Sequence, residues 1–245
     1  QWASRCGRVD VVSTLLKDGR VDPTDCDNEA MRWASHYGHA GVVSLLLKDG
    51  RADPTIRHNQ AIRHASYDGN VDVVSMLLKD GRADPAADDN WAIRHASQNG
   101  HVDVVSLLLK DGRVDPAAHN NYAIQWASKK GHVGVVALLL KDGRADPADD
   151  NNYAIRWASR EGHTGVVDLL LKDGRTDPSV DNSYAIQSAS GDGQTDVVAL
   201  LLKDGRANPA ADNNYAIRWA SRNGHTDVVA LLLKDGRADR SIIDM

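Results

Sequence analysis

NNYAIQWASKKGHVGVVALLLKDGRADPADD, from Asn120 to Asp150, is the stretch whose reading decides the fold. Its first half predicts a short helix over roughly 122–130, with Asn120 or Asn121 capping the N-terminus, since a short side-chain acceptor satisfies orphan N–H groups there. Gly131 ends that helix, because the residue after a helix commonly needs positive φ. A second helix is predicted over roughly 134–141, ended by Gly143 for the same reason. Arg144-Ala145-Asp146-Pro147 must then extend or turn, because proline disfavours helix in the residue before it. A helix of about nine residues is unstable alone. It persists only when copies stack and bury a shared core.

Copies are present on both sides. The tetrad Lys-Asp-Gly-Arg begins at Lys17, Lys48, Lys79, Lys110, Lys141, Lys172, Lys203 and Lys234, always 31 residues apart. All seven prolines, from Pro23 to Pro209, keep the same spacing. The expected organisation is a single repeat array over 1–245. It has a truncated first repeat at 1–26 and full repeats at 27–57, 58–88, 89–119, 120–150, 151–181 and 182–212. A last repeat with a C-terminal cap spans 213–245, where Ser241-Ile242-Ile243-Asp244-Met245 departs from the pattern.

This unit resembles the ankyrin repeat. The match lies in Gly131-His132, Val135-Val136, Leu138-Leu139-Leu140, Gly143 and Ala145-Asp146, and again in Gly224-His225, Val228-Val229, Leu231-Leu232-Leu233 and Gly236. The chain departs from the family in period, which is usually 33. It also has Tyr122-Ala123-Ile124-Gln125 where the family has Thr-Pro-Leu-His. The shorter connecting loop weakens the expectation of the family's β-hairpin finger and leaves the helix pair untouched. The resemblance implies an all-α, ankyrin-like helix-turn-helix solenoid of about eight stacked repeats. It also implies that the recurring His39, His101, His132, His163 and His225 bond the connecting backbone.

Comparing copies separates framework from adjustable positions. Ala123, Ile124 and Ala127 recur almost unchanged and share one helical face, so they are expected in the core. Tyr122, Trp126, Lys129 and Lys130 stand at i, i+4, i+7 and i+8, which is also one face, and these positions vary. Their counterparts include Trp33, His36 and Tyr37; His64 and Tyr67; Trp91 and His95; Tyr153, Trp157 and Arg160; and Tyr215, Trp219 and Arg222. The sixth stripe, Tyr184, Ser188, Gly191 and Asp192, lacks its central ring. In a stack of the ankyrin kind the first helices line the concave surface. The resemblance therefore implies a groove of residue types that dominate binding hot spots. Framework packing of the Tyr and Trp rings, each with an exposed edge, is the competing expectation. The loops after each proline form a second adjustable zone, mostly acidic. The second helix shows small residues outward, such as Ser44, Ser106 and Ala137.

Composition narrows the function. The net charge of −5 speaks against a protein held on nucleic acid by bulk charge, which needs clustered Lys and Arg. The eight recurring arginines each have aspartates close by, such as Asp142 and Asp146 beside Arg144, so local pairing is expected. No apolar run approaches the ~20 residues that span a bilayer. Two cysteines and no Asn-x-Ser/Thr sequon suggest an intracellular, cytoplasmic protein. The chain opens on Gln1 rather than Met, which suggests a cut or processed edge. No phosphate-binding glycine loop, HExxH or Gly-x-Ser-x-Gly occurs. The expectation is a non-catalytic, monomeric scaffold that binds a partner protein, with no cofactor, metal, nucleic acid or membrane. The alternatives are the targeting arm of a larger enzyme or host-interaction effector, and a consensus-like structural or engineered scaffold.

Overall fold

The structure is a computed structural model that describes residues 1–239. The expected cap at Ser241 to Met245 lies outside the described residues. Among those described, sixteen helices alternate as eight pairs and no strand forms, so no β-hairpin finger is built. The chain divides into two compact units, Gln1–His119 and Asn120 onward.

The first unit opens with Trp2–Arg5 and Val9–Asp18, followed by Asp25–His36 with Ala40–Asp49 and Ile56–Tyr67 with Val71–Asp80. It closes with Ala87–Gln98 and Val102–Asp111. Ala118–Lys129, which crosses into the second unit at Asn120, is followed there by Val133–Asp142, and Asp149–Arg160 pairs with Thr164–Asp173. Val180–Gly191 pairs with Thr195–Asp204, and Ala211–Arg222 with Thr226–Asp235. Within each unit first helices pack on first helices and second on second. The constant face is the core: Ala123, Ile124, Ala127, Val135, Val136 and Leu139 are all fully buried. Each large aliphatic side chain so buried contributes roughly 1.5–3 kcal/mol.

The start of the first helix corrects the sequence reading. Asp150, Asn151 and Asn152 do not cap a right-handed helix; all three are left-handed, at φ 51°, 52° and 60°. His119, Asn120 and Asn121 do the same, as does each equivalent triplet. Left-handed backbone costs about 1–2 kcal/mol per residue outside glycine, least for Asn and Asp. Two sets of bonds hold it. Asn152 Oδ1 accepts from the backbone N–H of Asp177 at 2.7 Å, and Asn121 from that of Asp146 at 2.7 Å. Arginines one turn into the helix donate to the carbonyls of the triplet: Arg94 Nε reaches Asp89 O at 2.8 Å and Arg63 Nε reaches His58 O at 2.8 Å.

Two further bonds join successive pairs within a unit. His163 Nε2 donates to Lys129 O at 3.0 Å and His101 Nε2 to Tyr67 O at 2.8 Å, at the end of the preceding first helix. Gly131 is required beneath this ring. Its φ is +76°, and a Cβ there would stand 2.6 Å from His163 Nδ1. The recurring arginine pairs with the aspartate before the glycine, not with the one before the proline. Arg175 grips Asp173 through Nε and Nη2 at 2.7 and 3.0 Å. Its Nη1 also reaches Ala145 O at 2.9 Å, so the expected local ion pair doubles as a clamp on the preceding pair.

Candidate functional site: the first-helix stripe

In the first unit the varying positions form one aromatic run. Trp33 stacks on Tyr37 at 5.6 Å and lies edge-on to His36 at 5.7 Å. His36 meets His64 at 5.5 Å, and His64 meets Trp91 at 6.3 Å. Tyr67 lies 5.7 Å from Trp91, which stacks on His95 at 3.9 Å. The Trp33, His36, His64, Trp91 and His95 side chains are half-buried, while Tyr37 and Tyr67 are exposed. The rings are thus both framework and surface, since each packs on a neighbour and keeps an edge in solvent.

Two histidines of this run, His64 and His95, are biased toward the neutral ring. Burial pulls His64 and His95 below the ordinary imidazole value, and His36 adds to the effect at His64. A bond relay agrees: Arg32 Nη1 donates to Gln60 Oε1 at 3.1 Å, which turns the Gln60 amide nitrogen toward His64 Nε2 at 3.2 Å. An amide N–H can only donate, so His64 Nε2 accepts and carries no proton.

In the second unit rings and cations interleave. Tyr122 stacks on Trp126 at 5.5 Å and Tyr153 lies 5.6 Å from Trp157. Lys129 Nζ sits between tryptophans, 4.9 Å from the Trp126 centroid and 4.0 Å from that of Trp157. Arg160 lies over Trp157 at 5.1 Å. Lys129 is therefore half-buried among rings, whereas Lys130 and Arg160 are exposed. Tyr215 stacks on Trp219 at 5.3 Å, and Arg222 stands exposed at the end of that helix.

The sequence reading did not foresee what the sixth stripe makes. Where Ser188 and Gly191 replace a ring and a long side chain, an open cleft of about 420 Å³ forms. Arg160, Asp192, Asp212, Tyr184, Tyr215 and Trp219 are among its lining residues. The missing central ring was the available signal. Arg5 was also missed; its guanidinium lies 4.9 Å from the Trp33 centroid.

Family comparison agrees with this geometry. A model described as ankyrin repeats (3 copies) matches residues 93–182 and 155–243, and one described as ankyrin repeat matches 30–59 and 61–90. The chain belongs to the ankyrin-repeat family. No curated protein sequence matches it. Ankyrin repeats typically mediate protein–protein interactions and are usually non-catalytic. No helix among the described residues of this ankyrin protein is long and apolar enough to cross a membrane.

Proposed function

We propose that the chain is a non-catalytic binding module that engages a partner protein through the first-helix stripe and the acidic loop tips beside it. The single observation that carries this reading is the stripe itself. Its side chains differ from copy to copy over a core that does not, and they keep aromatic edges and charged ends in solvent. Tyr and Trp rings held by neighbours lose little freedom on binding, which suits them as anchors. Lys130, Arg160 and Arg222 set a charge preference around them. The site is read as serving a monomeric array over 1–245 in the cytoplasm, with no cofactor.

The test begins with affinity purification and mass spectrometry to identify a partner, followed by calorimetry on the purified pair. Lys129→Glu with Lys130→Glu is expected to weaken binding at least about tenfold, about 1.4 kcal/mol, with helix content unchanged. Unchanged affinity would count against the stripe as the interface.

A further inference from the structure

We propose that the cleft at Gly191 is a seat for a cationic side chain, arginine or lysine, presented by the partner polypeptide. This rests on the protein-binding reading above and names what one place on that surface takes.

The molecule supplies its own precedent. Lys129 lies over Trp157 at 4.0 Å, and Arg5 lies over Trp33 at 4.9 Å. In both cases the cation comes from the same stripe position of the preceding helix pair, 28 residues earlier in the chain. For Trp219 that position is Gly191, which has no side chain. A Cβ built at the buried Gly191 would meet Trp219 Cε3 at 3.6 Å and its Cβ at 3.7 Å, so the glycine lies against the indole, and both line the cleft with Ser188. Trp219 is 40% exposed, and among the described residues no cation lies over it. The cleft is lined by Trp219 and Gly191 together.

The surroundings fit the same ligand. Ser188 removes the ring that would fill the floor, and Tyr215 backs the Trp219 indole at 5.3 Å. Three carboxylates border the opening against one guanidinium. Asp181 is engaged by Arg156 at 3.2 Å, and Asp192 faces Arg160 at 3.6 Å with both half-exposed. Asp212 has no ion-pair partner among the described residues. An aromatic face draws a cation through its quadrupole. Adjacent carboxylates add attraction for a cation and repel an anionic side chain. A guanidinium can lie flat on the ring and still fork onto a carboxylate.

The experiment titrates the purified chain with acetyl-Gly-Arg-Gly-amide and follows the tryptophan indole N–H resonances by NMR. The citrulline tripeptide serves as the neutral isostere. A saturable shift confined to Trp219 is expected, with citrulline at least about fivefold weaker, the combined worth of an exposed cation–π contact and a screened carboxylate. Gly191→Lys restores the Lys129 arrangement within the chain and is expected to abolish the shift. Gly191 is helical and a Cβ there makes only ordinary contacts, so this variant keeps the fold, which the remaining resonances verify. Asp212→Asn is expected to weaken binding about threefold. No shift at Trp219, equal binding of citrulline, or undiminished binding by Gly191→Lys would overturn the proposal. With an identified partner the two readings separate. If Gly191→Lys leaves partner affinity unchanged while Lys129→Glu with Lys130→Glu reduces it, the seat fails and the stripe stands. The reverse pattern supports the seat and counts against the wider stripe.

Discussion

Replacing Asn152 by alanine is expected to destabilise the second unit by about 1.5–2 kcal/mol. Two losses make up that figure. The side chain is 6% exposed and its Oδ1 accepts from the Asp177 N–H at 2.7 Å. Removing this acceptor costs about 1 kcal/mol, the usual worth of one such bond in a part-buried place. Alanine must also hold φ 60°, ψ 41°, which asparagine tolerates better by about 0.5–1 kcal/mol. Two further variants separate the contributions. Glycine loses the bond and takes the left-handed backbone freely, so it should fall only about 1 kcal/mol or less. Serine keeps an acceptor, as Ser183 does for the Asn208 N–H at 2.9 Å, and should also lie between asparagine and alanine. Urea unfolding followed by circular dichroism measures this, comparing midpoints and slopes, since stacked repeats need not unfold in one step. An alanine variant as stable as the parent refutes the bond. A glycine variant as unstable as alanine refutes the left-handed contribution.

Two other outcomes follow from buried and charged groups. Ser128 and Ser159 are fully buried and their hydroxyls have no hydrogen-bond partner among the described residues, so Ser159→Ala should raise the melting temperature by the worth of about 1 kcal/mol. A fall in calorimetric Tm would contradict this. The forked arginine bonds hold the carboxyls of Asp142, Asp173 and Asp204 below the ordinary aspartate value. Carboxyls depressed in the folded state contribute stability that is complete above their unfolded pKa and is lost as pH falls through the lower folded one. Unfolding midpoints should therefore drop as pH falls below about 4. Arg175→Gln should flatten the curve by no more than about 1 kcal/mol, because the pair is partly exposed.

The core and the repeat were legible because they are set by local period. Ala123, Ile124 and Ala127 meet the same neighbour in every copy, and only a small-large-small face fits there. His163 was legible through family resemblance, though not its reach to Lys129 O of the preceding first helix. The left-handed triplet was not legible. Asp150-Asn151-Asn152 reads equally as a cap or as left-handed backbone, since short polar side chains serve both. What decides is tertiary: the Asn152 bond to a residue 25 positions on. The stripe was legible as a set of varying positions. Its packing was not, because the environment of rings such as Trp33 and Trp157 depends on a residue from the preceding helix pair.

That dependence bears on how such a surface changes specificity. Trp157 is half-buried under Lys129, while Trp219 is exposed beside Gly191. One stripe position in the preceding pair therefore decides whether a cation of the chain lies over the next indole, as Arg5 does over Trp33 and Lys129 over Trp157. Lys129 is half-buried and Gly191 buried, each beside a fully buried Ala-Ser pair, yet a Cβ at Gly191 makes only ordinary contacts with Trp219. A substitution there changes the anchor without disturbing the layer beneath. Since the main helix packing within a unit runs between neighbouring pairs, the energetic effect stays local. Stripe and core can diverge independently for this reason. The copies most alike in sequence can still offer a partner different chemistry, provided the difference falls one helix pair ahead of the ring it covers.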